Sequence, residues 1–254
     1  MSAPQPGPAE PDDRDAPDVA QSFGAALGGA ARRMGLDPSS EASTGHVVWQ
    51  AMGGWRGILE SVLPSLAFLV IYTVRPDPLW ISLVAAVGLA ALFSIVRLVQ
   101  KSPPSAAIGG LVAAAFAAGL ALWTGRGQDN FVPGFFTNGL YGTVLIVSAL
   151  VGWSVIGLAA GFLMGDVRGW RKDRRKRRAF FWLTIAWGAL FYLRLAVQLP
   201  LYLAENTTAL GTTKLIMGIP LFAPMVAVAW LVVRALYPPE KPADTQGAAA
   251  DPTP

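Results

Sequence analysis

The stretch "GWRKDRRKRRAFFWLTIAWGALFYLRLAVQLPLYLA", residues 169–204, sets a run of cations directly against an apolar segment. Seven basic residues crowd around Asp173 between Gly169 and Trp182, and from Ala179 to Ala204 the only charge is Arg194. A helix apolar on all faces belongs in a core or in lipid. Crossing a hydrocarbon layer of ~30 Å takes about 20 helical residues, and this segment is long enough. It therefore reads as a transmembrane span. The cations before it mark the end held in the cytoplasm, because positively charged loops resist translocation.

The rest of the chain agrees with a lipid solvent. Hydrophobic residues make up 53% of the chain and charged ones 14%, with a mean hydropathy of +0.45. A water-facing domain usually carries about 25% charge. The net charge of +4 conceals a local excess. Between Gly165 and Arg178, eight basic residues (Arg168, Arg171, Lys172, Arg174, Arg175, Lys176, Arg177 and Arg178) face only Asp166 and Asp173, which makes that segment +6 and the remainder −2. One loop is basic, not the protein. With no cysteine, disulfides, thiolate metal sites and cysteine nucleophiles are excluded.

Polar, Pro- and Ala-rich residues 1–44 and 238–254 bury too little apolar surface to order, so disordered tails are expected there. The acidic opening "MSAPQPGPAEPDDRDAPD" predicts no cleavable signal peptide. Val19, Phe23, Leu27 and Met34 fall roughly on one face of a weak surface helix, although Gly24, Gly28 and Gly29 oppose it. Residues 45–237 form the membrane domain, an all-α polytopic bundle of about six spans: 58–75, 79–99, 105–124, 135–164, 179–204 and 212–236. The fourth block is too long for one upright crossing, so it must tilt, kink near Gly152 or include a short surface helix.

One threading satisfies every connection. With both termini in the cytoplasm, the inner side holds Arg97, Lys101, the basic cluster, Arg234 and Lys241. Outer connections hold only Arg75 with Asp77, Arg126 with Asp129, and Lys214 with Glu205. Trp49, Trp55, Trp80, Trp123, Trp170 and Trp230 lie mostly near block ends, as interfacial anchors do. The basic segment is thus a topology anchor and a contact for anionic lipid at the inner leaflet. A nucleic-acid role is not expected, since no fold that presents cations to a groove surrounds it.

Catalytic signatures are lacking. His46 is the only histidine, phosphate-binding and dinucleotide fingerprints are missing, and Glu60 is the only carboxylate within the spans. No enzyme activity, metal or cofactor is expected. Arg194 is the most informative residue, because a charge near the bilayer centre costs on the order of 2.5–3.5 kcal/mol. Gln198 and Tyr202 follow at four-residue steps, and Pro200 leaves the carbonyl of Ala196 without its helical donor. Together with Asn138 they form a candidate polar seam, with Thr137, Asn138 and Asp129 as candidate partners of the arginine. A second pattern is the four-residue repeat of Gly157, Gly161 and Gly165, read as a helix-packing face, alongside Gly109, Ala113, Ala117 and Ala121.

The segments "MGGWRGILESVLPSLAFLVIY", "PPSAAIGG", "FVPGFFTNGLYG", "GDVRGWRKDRRKRRAFFWLTIAWGALFYLRLAVQLPLYL" and "GIPL" resemble the actinobacterial multi-pass membrane family termed domain of unknown function 3159. The likeness covers roughly residues 50–237. It implies a plasma-membrane protein of high-GC Gram-positive bacteria, with no activity attached. The segment "FVPGFFTNGLYG" also resembles, more faintly, the intracellular septation protein A family.

Two function classes follow. One is a non-catalytic envelope component, an assembly or scaffold factor that binds other membrane proteins or itself through small-residue faces. The other is a small transporter or channel-like module that takes a polar or anionic solute at Arg194, Gln198 and Asn138. The scarcity of intramembrane polar groups favours the first.

The threading is testable in this cysteine-free background. A Lys172→Cys variant should resist an impermeant maleimide on intact cells and react after permeabilisation, while Glu205→Cys should react on intact cells. The opposite pattern would invert the topology.

Overall fold

The computed structural model describes residues 43–100 and 104–238, with backbone alone for 104–107. The expected tails beyond these limits, the surface helix around Val19–Met34, and Lys101 and Lys241 lie outside the described residues. Nine α-helices are described: α1 Thr44–Ala51, α2 Gly54–Val74, α3 Leu79–Val99, α4 Pro104–Thr124, α5 Val132–Leu150, α6 Val155–Met164, α7 Arg174–Leu203, α8 Thr207–Ile216 and α9 Ile219–Leu236. Short 3-10 turns at Gly127–Phe131 and Gly169–Arg171 lead into α5 and α7.

Five segments are long and apolar enough to cross a membrane: Gly54–Val74, Leu79–Val99, Gly127–Leu150, Arg174–Leu203 and Thr207–Leu236. The 21-residue α4 falls on the third expected span, 105–124, its apolar part described over Ile108–Thr124. The outside of the bundle is apolar: Val74, Trp123, Phe136 and Leu203 are 71–85% exposed. In water such a surface would aggregate, whereas in lipid it is solvated. This is a multi-span helical membrane protein.

The polar chain ends explain where helices start and stop. Asp173 caps α7 by accepting from the backbone N–H of Arg175 at 2.7 Å. Asn206 caps α8 in the same way through Ala209 N–H at 3.0 Å. The fourth block does break near Gly152, whose φ of 79° a β-carbon would strain. Ser154 then caps α6 by accepting from Gly157 N–H at 3.0 Å, donates to the Phe180 carbonyl at 3.1 Å and meets the Thr184 hydroxyl at 2.6 Å. A single buried hydroxyl thereby starts one helix and fastens it to another. The sixth block also divides, at Gly218, and α8 extends it back to Thr207.

Antiparallel α5 and α7 form the most extensive helix pair. They approach closely at Gly142 and Gly188: a β-carbon on Gly188 would lie 3.3 Å from the Gly142 carbonyl and 2.6 Å from Ile146, and one on Gly142 would lie 3.1 Å from the Tyr192 ring. Around this pair α2, α3 and α4 pack in succession, α8 bridges α2 to α7, and α1 lies on α9. Two apolar clusters result. Phe68, Leu83, Ala118, Ala121, Phe131 and Leu210 fill one, and Ala160, Trp170, Phe180, Leu183 and Val233 fill the other. By chain direction they occupy opposite ends of the bundle. Between α2 and α3, Glu60 joins Arg56 at 2.6 Å to Arg97 at 2.7 Å, so the lone carboxylate expected in the spans is an interhelical clamp.

Two expectations are corrected here. The Gly157 and Gly161 face receives the indole of Trp170, whose ring atoms would lie 2.8 and 2.9 Å from added β-carbons. Gly165 instead ends α6 with a φ of 70°, and Asp166 N–H donates back to the Gly161 carbonyl at 2.8 Å. Four-residue spacing marks a flat helix surface but not what lies on it. Trp170 and Trp230, read as interfacial anchors, are buried at 0% and 6% exposure, while Trp55, Trp80 and Trp123 are exposed near helix ends. Ala118 and Ala121 are buried in the first cluster, whereas Ala113 is exposed.

A Gly161→Ala substitution should therefore destabilise the protein by about 1–3 kcal/mol, because its β-carbon would sit 2.7 Å from the Asp166 carbonyl. Gly109→Ala, whose β-carbon meets nothing within 4 Å, should leave thermal melting in detergent unchanged or raise it.

Candidate functional site

α7 carries Phe191, Arg194 and Gln198 at three- and four-residue steps, which puts them on one face. That face turns toward α5, whose Asn138 and Thr137 stand opposite, and toward α8 and α9. The space between is a cavity of ≈ 350 Å³ bordered by Asn138, Arg194, Gln198 and Lys214, with aromatic walls from Phe131, Tyr141, Phe191 and Phe222. Arg194, Gln198 and Asn138 are thus brought together. No carboxylate borders the cavity.

Tyr202 is not part of it. Eight residues past Arg194 is about 80° further round a helix of 3.6 residues per turn, and the ring enters the Phe68 cluster instead. Its hydroxyl donates to Asp129 at 2.7 Å, and its ring meets Phe135 edge-on. This also corrects the expected partners of the arginine. Asp129 is buried and turned to Tyr202, and Thr137 donates to the Pro133 carbonyl of its own helix.

The donors of the cavity are left open. Arg194 Nε and Gln198 Nε2 are buried without a hydrogen-bond partner, and Gln198 is 3% exposed. The Arg194 guanidinium lies 5.4 Å from the Phe222 ring centre and Lys214 Nζ lies 5.0 Å from that of Phe131. Neither cation makes a salt bridge among the described residues. An unmet buried donor costs roughly 1–3 kcal/mol. Two cations and an amide thus face one space, and each cation lies near an aromatic ring.

Sequence reasoning missed Lys214, which was read as part of an outer connection. The structure puts it in the third turn of α8. A signal was present: Lys214 is the only charge between Glu205 and Arg234. The argument applied to Arg194 holds for it equally. Beside the cavity, Arg126 pairs with Glu205 at 3.3 Å. The Gln128 amide, oriented so that its oxygen accepts from Arg126 and its nitrogen donates to Thr207 Oγ1, ties the turn before α5 to the start of α8.

The basic segment is only partly free. Lys176 joins Asp166 at 3.4 Å and lies 3.7 Å above the Tyr237 ring, and Arg171 stacks on Trp153 at 3.9 Å. Tyr237 donates to Asp166 at 3.0 Å; burial, and then that carboxylate, push its phenol well above the usual range. Arg168, Lys172, Arg174, Arg175, Arg177 and Arg178 are exposed.

A family model described as a protein of unknown function, DUF3159, matches residues 52–240. The chain belongs to that family. The match bears on the family alone, not on an actinobacterial source or on a likeness to septation protein A. Neither a curated protein nor a solved structure matches the chain. The DUF3159 region takes in α2–α9, and with them every residue that borders the cavity.

If the open donors are the cost of a binding site, removing one should stabilise the unliganded protein. Gln198→Leu should raise the melting temperature in detergent, by a gain of about 1–3 kcal/mol for the donor no longer stranded. A large fall would mean that the amide holds the helices together.

Proposed function

We propose that this membrane protein binds a small organic anion inside its helix bundle, at Arg194, Lys214, Gln198 and Asn138, and serves as a transport module for it. The observation that carries the reading is the convergence of two cations and an unpartnered amide on one cavity with no carboxylate on its border. Scaffolding gives no reason to keep uncompensated charge within a span, where it costs on the order of 2.5–3.5 kcal/mol. A ligand does give one, since its charge makes the site neutral when filled. The cavity volume of ≈ 350 Å³ fits a small molecule. Its four aromatic walls favour an anion with an apolar body over a bare inorganic one.

The chemistry is binding and passage, with no catalytic step. Glu60, clamped between Arg56 and Arg97, is not a free proton carrier. We place the protein in the plasma membrane with both termini and the basic segment in the cytoplasm, the threading favoured by its loop charges. The site then lies in the outer half of the bundle, since Arg194 is two thirds of the way from the basic end of α7.

Purified protein in phosphatidylcholine vesicles tests this with three probes: benzoate, inorganic phosphate and an anionic phospholipid. Benzoate should bind and enter the vesicles. Arg194→Gln and Lys214→Gln should each weaken binding on the order of thirtyfold or more, as expected when one partner of a buried charge pair is lost. Stabilisation by the phospholipid that is lost in Arg194→Gln, without benzoate binding, would replace the solute in this cavity with a lipid headgroup. Wild-type benzoate uptake in both variants, or none in the wild type, would overturn the proposal.

A further inference from the structure

At the opposite end of α7, a second hollow of ≈ 510 Å³ opens where the chain breaks between α5 and α6. It exists because α5 stops at Leu150 and Gly152, which has no side chain, turns the backbone away. Arg174, Arg177 and Arg178 line one side, and Leu150 and Phe181 line another. The three arginines lie at i, i+3 and i+4, on one face of the first turns of α7. None has a carboxylate within salt-bridge distance among the described residues. The two nearby aspartates are engaged elsewhere: Asp173 accepts from the backbone N–H of Arg175 and Lys176, and Asp166 is held by Lys176 and Tyr237. Trp170, packed on Gly157 and Gly161, gives the hollow a fixed back wall.

The rim is oily. Leu150 and Val151 are 69% and 66% exposed, and Trp153 and Trp182 are also exposed. Guanidinium groups thus stand beside a lipid-facing apolar surface, with tryptophans at the boundary as at a membrane interface.

We propose that this hollow is the headgroup site of an anionic phospholipid from the adjoining leaflet. The phosphodiester sits among Arg174, Arg177 and Arg178, and an acyl chain runs along Leu150 and Phe181. Charge complementarity selects an anion and the apolar rim selects one that carries chains. A soluble phosphate satisfies the first condition only. The site is separate from the Arg194 cavity, so either proposal stands if the other fails.

The test measures thermal stability of full-length protein in neutral detergent, with added phosphatidylglycerol, phosphatidylcholine or inorganic phosphate. Phosphatidylglycerol should raise the melting temperature and the other two should not. An Arg174→Gln, Arg177→Gln, Arg178→Gln variant should melt like wild type with phosphatidylcholine. It should lose the phosphatidylglycerol shift, its apparent affinity falling on the order of a hundredfold. An Arg168→Gln, Lys172→Gln, Arg175→Gln variant removes equal charge outside the hollow and should keep the shift. Equal loss in both variants would overturn the proposal in favour of diffuse attraction. So would a shift with inorganic phosphate, or no preference between the lipids. Native mass spectrometry of the wild type gives a readout free of any variant: retained phosphatidylglycerol is expected, and its absence would also overturn the site.

Discussion

The close antiparallel contact of α5 with α7 is the constraint on which the remaining architecture rests. Lipid supplies no hydrophobic drive between helices, so their association depends on packing and on hydrogen bonds made within the protein. Gly142 and Gly188 bring the two backbones together, and the Ser154–Thr184 hydroxyl pair fastens one end. With that contact set, the face of α7 bearing Arg194 and Gln198 must look across at Asn138. The Gly152 break must also fall beside the arginines of the first α7 turns. One hollow lies to each side of the Gly142–Gly188 approach along α7.

Polar groups divide accordingly into those that are answered and those that are not. Glu60, Asp129, Asp166 and Ser154 all have partners and join separate elements. Arg194 Nε and Gln198 Nε2 do not. Both of these donors border the same cavity.

Much of this was legible in residues 169–204. Apolar length located the spans, and the proline- and glycine-rich connections located most breaks, Gly152 among them. Arg194, Gln198 and Asn138 stood out because a polar residue inside an apolar run needs a reason. What escaped was what depends on three-dimensional approach. The spacing of Gly157 and Gly161 says that a surface is flat, but an indole and a helix are equally suited to a flat surface. Gly142 and Gly188, 46 positions apart, carry no shared period that would pair them. Tyr202 shows the converse error, since a four-residue step repeated twice has already rotated away from its starting face. Lys214 was hidden by its position near a block boundary, where a charge is ordinarily read as solvated.

Phe222 has a temporal meaning. It lies on α9, which also receives α1, so the Phe222 part of the cavity wall and the join between α1 and α9 form only once α9 has been made. During synthesis, α7 must enter the bilayer with Arg194 lacking its eventual ring neighbour.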